Sequence, residues 1–478
     1  MSNSKNKTIF GTTEKSNFIL NMKDQTIDRL PIVCAKVLIV LLLIGQAVPE
    51  VIEWGLKLMG KGQGYGYGFF NTPYICLAIV WVLSIIAVVI MCARDRFNKS
   101  KQIVPVVMIS LLAVWILIST INSISPLDSF SGTYGRTTGF LTIVSCAFIY
   151  LVMTFLNNEL NVRTILRTMV IASMVQCVWG LVQSLSQYFD AEVSFYENLN
   201  SVSLYNICLP SGFSGSPIFY AEYLCLMLGI TLTLSSLEKS KLYTVMSMIY
   251  VFLMLDTHTV VGVLGAISIV LVATIVWIVS KSEGKNFLPI VLVIVVAVAK
   301  VVFCVVSVGR YKFYDGCIMW QDSFYRIGST GYFQTTSANF NINDVSEVFA
   351  YLWKFAIYYI KAFLFMGVGA DCLIYTQSSV SEDAISYAVN SFDVVYNDYL
   401  QIAVTMGIPT LILYIVLYVF CITKAIKRFN DSNIFKALTV TLIGYAIMVV
   451  FGYTSITVMP YLWLLMGIAC SQSLGSSK

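Results

Sequence analysis

The chain has 478 residues, of which 58% are hydrophobic and only 12% charged, with a mean hydropathy of +0.80. A water-soluble globular chain carries roughly twice that share of charge, so the composition excludes one. The formal net charge of +5 then bears on membrane topology and is no argument for nucleic-acid binding.

The first 29 residues are polar, and no small-residue cleavage site follows the first apolar run, so no cleavable signal peptide is expected. Repeated apolar runs of about 17 to 22 residues follow, which predicts an all-α, polytopic transmembrane bundle. Twelve spans are read, at about 30–49, 72–92, 103–120, 138–156, 165–184, 217–236, 241–256, 259–280, 287–308, 400–422, 437–453 and 459–475. Lys and Arg cluster in every second connection: Arg94 to Lys101, Arg163 and Arg167, Lys239 and Lys241, Lys281 and Lys285, and Lys424 to Lys436. The positive-inside rule makes that side cytoplasmic, together with both termini. The expected divisions are a cytoplasmic tail (1–29), spans one to nine (30–308), a large extracytoplasmic loop (309–399), and three final spans with a short tail (400–478).

The large loop is the one long polar region, and in a membrane protein such a loop is where work is expected. Inside it, 348–366 is apolar and long enough to cross, but Glu347, Lys354 and Lys361 recur every seven residues. They form a polar stripe opposite Phe349, Leu352, Ala356, Ile360 and Phe363, which suits an amphipathic helix lying on the membrane surface.

Few side chains in the remainder carry chemistry. Glu222 lies one turn inside the sixth span, where an ionisable group is costly and a functional candidate by default. Lys36 and Lys300 are buried-charge candidates without an assignable partner. Gln176 and Gln183 share a helical face, which suits either a helix–helix hydrogen bond or a polar cavity wall. Arg136 stands at a membrane edge between Gly135 and Gly139. It is either a snorkelling anchor or a phosphate ligand, since its planar fork matches phosphate oxygens. Asp371 follows Gly367-Val-Gly-Ala370, where the backbone can turn sharply. His258 is the single histidine, and the cysteines show no metal-ligand spacing, so no metal site is expected.

Taken in order, several stretches resemble the O-antigen ligase and O-unit polymerase superfamily. Gly132-Thr-Tyr-Gly-Arg136-Thr-Thr-Gly139 is similar to its first outer loop. Gly180-Leu-Val-Gln183 and Ser211-Gly-Phe-Ser-Gly-Ser-Pro-Ile-Phe-Tyr-Ala221 resemble two further segments. Trp353-Lys-Phe-Ala, Leu364-Phe-Met-Gly-Val-Gly-Ala-Asp371 and Tyr396-Asn-Asp-Tyr-Leu-Gln401 resemble the amphipathic Trp helix, its Gly-x-Gly turn and the end of the large loop. Three positions depart. Tyr396 stands where the family has His, Thr259 and Val260 where it has Ser-Arg, and Phe349 near an expected Arg.

The resemblance implies transfer of a glycan from a polyprenyl-diphosphate donor to an acceptor hydroxyl at a bacterial plasma membrane, without metal or soluble cofactor. It implies Asp398, Tyr396 and Glu222 as candidate acid/base residues, and Arg136, Arg310, Arg326 and His258 as candidate diphosphate ligands. Trp353, Asn397, Asp371 and Gln183 are the candidate glycan contacts. Tyr396 is a poor base, because an ordinary phenol with a pKa near ~10 is only about 0.1% ionised at pH 7. A degenerate relative that binds lipid-linked glycan without transfer is the second reading, and an unrelated transporter the third.

Overall fold

The computed structural model describes residues 22–58, 68–94, 103–133, 137–186, 210–281, 284–308, 345–379 and 394–471. Its α-helices are α1 (Asp24–Leu58), α2 (Gly68–Ala93), α3 (Ile103–Ile121), α4 (Pro126–Ser131), α5 (Phe140–Met153), α6 (Glu159–Ser186), α7 (Pro217–Glu238), α8 (Lys241–Asp256), α9 (Val260–Val279), α10 (Leu288–Val308), α11 (Val345–Ala362), α12 (Asp398–Lys427), α13 (Asn433–Met448) and α14 (Met459–Ala469). A 3₁₀ turn covers Leu373–Ser379. Eight of these helices, α1, α2, α3, α6, α7, α9, α10 and α12, are long and apolar enough to cross a membrane. The protein is therefore an all-helical bundle of the multi-pass membrane type. Helices α5, α13 and α14 are apolar but shorter than the spans read there. Helix α13 ends at Met448, short of the 453 read for it, because an irregular and mostly buried connection, 449–458, follows it; α14 begins at Met459 as read and ends at Ala469.

The centre of the bundle is α7, packed by α8, α9 and α13, and every residue from Pro217 to Leu237 is buried. Three of its hydroxyls are satisfied within the helix: Thr231, Thr233 and Ser236 donate to carbonyls four residues back, at 3.0, 2.8 and 2.6 Å. That lets a moderately polar helix sit in a dry interior. By contrast, only 28% of the α10 span is buried: Ile290 and Val293 face the core, while Val291, Val295, Val298 and Val302 are exposed. Lipid is the solvent that suits such a surface. The one charge on α10, Lys300, turns inward and pairs with Asp256 at the end of α8. Lys36 is exposed on α1.

Helix α12 is broken at Gly407, whose φ of 82° lies in the left-handed region, and Pro409 follows without an amide hydrogen. The break frees backbone groups that a neighbouring stretch takes up. The Ile408 amide donates to the Leu364 carbonyl (2.9 Å), Val368 to Val404 (3.0 Å) and Gly369 to Thr405 (2.8 Å). A side chain at Gly407 would collide with the Phe365 backbone. From α3, Trp115 and Ser119 donate to the carbonyls of Phe365 and Met366, at 3.2 and 2.5 Å. This main-chain seam fixes 364–371 against α12.

Helix α11 packs on α12. Phe349, Leu352 and Ala356 are buried, as the stripe requires, while Lys354 and Lys361 are exposed. The register differs at its end: Tyr359 is buried, donating to the Thr376 carbonyl (2.9 Å), and Phe363 is 37% exposed. The seam explains the difference, because the chain leaves the helix after Ala362 to enter it.

Candidate functional site

The seam presents Gly367 to Asp371 as a tight turn, with Asp371 itself at φ 62°. Its Oδ2 accepts three hydrogen bonds from the loop between α4 and α5: the Thr133 amide and hydroxyl, both at 2.9 Å, and the Thr138 amide at 3.1 Å. Two glycine-bearing stretches that are distant in sequence thus meet on one carboxylate. The loop closes tightly, since a Cβ at Gly139 would run into the Gly132 backbone. Thr142 holds it from below, donating to the Thr137 carbonyl at 2.6 Å.

Asp398 is placed by the start of α12. Asn397 caps that helix, accepting from the Leu400 amide at 3.0 Å, which is the ordinary work of an N-cap asparagine. The Asp398 amide donates to the Val449 carbonyl (3.0 Å), and its Oδ1 accepts from the Thr454 amide (3.1 Å). The irregular 449–458 connection is thereby tied to the carboxylate.

Asp371 and Asp398 line one cavity of ≈ 80 Å³, together with Thr138, Gln401, Thr405, Tyr453 and Thr454. Leu112, Ile116, Ile143, Met406, Leu462 and Trp463 continue the lining along the helices. The polar groups come from element ends, from the irregular 449–458 connection and from either side of the break in α12, and most of the apolar ones from helix interiors. The volume suits a few waters or one small polar group, and excludes a whole lipid. Chemically, the arrangement offers two carboxylates and several hydroxyls beside an apolar wall.

No protein-family model matches the chain, and no curated protein is similar to it.

The other sequence candidates take varied positions. Tyr396 is 2% exposed, with φ 49°, and stands edge-on to Phe349 and Tyr453. It does not line the cavity. Glu222 is fully buried next to Gly452 and does not line the cavity. Neither of its oxygens has a hydrogen bond of good geometry, although the Tyr453 backbone faces it. Gln183 is buried and accepts from the Ser211 and Gly212 amides, both at 2.9 Å. Gln176 accepts from the Phe213 amide at 2.7 Å and donates to Gln46 on α1 at 2.7 Å. Both glutamines therefore shape the loop before α7 and stand apart from the cavity lining. Trp353 packs on Phe349 and Phe451. His258 sits in the turn between α8 and α9 at φ 51°, beside Thr259, whose hydroxyl caps α9 by accepting from Gly262 at 3.0 Å. Arg136, Arg310 and Arg326 lie outside the described residues.

Thr133, Thr138, Gln401 and Thr454 belong to the site but were not singled out from the sequence. Thr133 and Thr138 fall inside the first glycine-rich stretch, which was the available signal. Gln401 ends the Tyr396–Gln401 stretch and accepts from the Val395 amide at 2.9 Å. Thr454 carries no signal in its neighbourhood. Next to the site, burial and then the charges of Asp371 and Asp128 push the Cys372 thiol up to about 12, which makes it a poor nucleophile. Burial, reinforced by a 2.8 Å hydrogen bond to Asp128, also raises the Tyr375 phenol above its usual range.

Proposed function

We propose that this chain is a membrane glycosyltransferase that moves a glycan from a polyprenyl-diphosphate donor to an acceptor hydroxyl. The observation that carries the reading is the cavity itself, where the Arg136-bearing loop, the Asp371 turn and the start of α12 converge beside apolar helix walls. An amphipathic donor needs that combination: a polar place for the reacting group and an apolar flank for the chain that follows.

In this reading the acceptor oxygen bonds to the anomeric carbon as the carbon–oxygen bond to the diphosphate breaks. The acceptor proton passes to Asp398, and negative charge collects on the leaving diphosphate. Such a charge calls for a cation, and the reading assigns that role to Arg136, one residue before Thr137 in the chain. Asp371 positions that loop and takes no part in the bond changes.

Purified protein supplied with polyprenyl-diphosphate oligosaccharides and a glycan acceptor tests this by release of polyprenyl diphosphate. Asp398→Asn is expected to slow release about 100-fold or more. Arg136→Lys is expected to weaken donor binding about 10- to 150-fold. Donor binding without any release favours the second reading, a binding protein that no longer transfers. The burial of Tyr396 among aromatic rings supports that alternative, because the residue at the family's His position does not reach the cavity. Failure to bind the donor removes both.

A further inference from the structure

The end of the bundle where the Lys- and Arg-bearing turns gather holds a second cavity, far larger at ≈ 520 Å³. The start of α6, the end of α9, the turn after α12 and the start of α13 enclose it. Its charges do not balance locally. Arg163 is shared between Glu159 at 2.7 Å and Glu238 at 2.8 Å. Ser432 and Asn433 donate to the same two carboxylates, at 2.9 and 3.4 Å. Asp431 is held by Arg428 at 3.6 Å. Those contacts commit every described carboxylate of the cavity to an arginine.

Two ammonium groups remain. Lys436 is 6% exposed; its Nζ donates to Asn433 at 3.1 Å and lies over the Phe429 ring at 5.6 Å. Lys281 stands at the exposed rim. Among the described residues neither has a carboxylate within 4.0 Å. A buried ammonium with no counter-charge is costly, and it has three protons to donate where the protein accepts one hydrogen bond. An open cavity beside it is where a compensating anion fits.

We propose that this cavity is an anion site for a phosphate group, with Lys436 as the inner ligand and Lys281 as the outer one. The volume lies within the usual range for a small-ligand pocket. Its position among helix ends on the basic face admits two sources, a phospholipid headgroup and a soluble phosphate, since basic pockets between membrane helices bind anionic headgroups. The neighbouring Glu159 and Asp431 favour a singly charged phosphodiester over a multiply charged anion. The site is independent of the outer cavity and of any glycan transfer.

The test is thermal unfolding of the full chain in an uncharged detergent, titrated separately with inorganic phosphate, phosphatidylglycerol and phosphatidylcholine. Phosphatidylglycerol is expected to raise the melting temperature saturably, and phosphatidylcholine to leave it unchanged. Stabilisation by inorganic phosphate as well identifies a soluble phosphate as sufficient. Stabilisation by the lipid alone identifies a headgroup with its chains. Lys436→Met is expected to raise the half-saturating concentration about 10-fold or more. Should that variant fail to fold, Lys281→Gln at the exposed rim decides, with a smaller shift in the same direction. Equal titrations for the wild type and the folded variants overturn the proposal, as does no response to either anion.

Discussion

The two ends of the bundle are held by different kinds of contact. At the basic end, long charged side chains do the joining. Arg163 bridges α6 to the end of α7, Ser432 reaches Glu159, and Arg428 donates to the Ser471 carbonyl at 2.6 Å. At the opposite end, backbone meets backbone along 364–369 and 404–408, and one carboxylate gathers a loop through two amides and a hydroxyl. The first arrangement is partly wet and screened by salt. The second is dry and short-ranged, and it sits where the smaller cavity opens. Precision is therefore concentrated at the candidate site, and the basic end trades it for adjustable charge.

Substitutions at four positions break or sharpen that contrast. Gly407→Ala forces a left-handed alanine against the Phe365 backbone, and a loss of about 3 kcal/mol or more is expected in thermal or denaturant unfolding. Unchanged stability would show that the seam yields and removes its claim to rigidity. Asp371→Ala leaves three donors without their acceptor and is expected to cost about 2–3 kcal/mol. Asp371→Asn, which keeps an acceptor oxygen, should recover part of that; equal losses for both variants would point to packing instead. Arg163→Gln is expected to cost about 1 kcal/mol at most, because the arginine is more than a third exposed and water screens it. The cost should shrink further in high salt, whereas that of Asp371→Ala should not. The smallest effect concerns Tyr375. Its phenol is raised in the folded protein, so its contribution is complete below the ordinary tyrosine value of about 10 and fades as pH climbs above it. Tyr375→Phe should remove that alkaline component from melting curves taken between about pH 8 and 11; an identical slope in the variant refutes it.

The helices of this fold were legible because apolar runs mark them directly, and the amphipathic stripe of α11 was legible for the same reason. What charge does inside the bundle was not. Asp256 and Lys300 are 44 residues apart, and nothing in either neighbourhood names the other. Glu222 announced itself by its depth, yet the sequence placed it in the site, and in the fold it is fully buried and outside the lining of the cavity. Asp371 and the Gly132–Gly139 loop were each suspect for their glycines. That one holds the other depends on backbone amides, which every residue type but proline possesses. Asn397 and Gln183 show the converse: both suit sugar recognition by residue type, and here the Asn397 side chain accepts from the Leu400 amide at the start of α12, while Gln183 accepts from the Ser211 and Gly212 amides and donates to the Ser211 hydroxyl and Gly212 carbonyl in the loop before α7.

The seam between 364–369 and the broken helix has a consequence for how this chain can change over time. Its bonds run between amides and carbonyls, so they are indifferent to spelling: Leu364, Val368, Val404 and Ile408 can each be exchanged for another residue of similar bulk without losing one. A proline at a donor interrupts it, as does a side chain at Gly407 or Gly367, each of which would meet the backbone of the facing stretch. A polypeptide can thus rewrite most of the text around this mouth while keeping both carboxylates in place, and its shape can outlast the words that first encoded it.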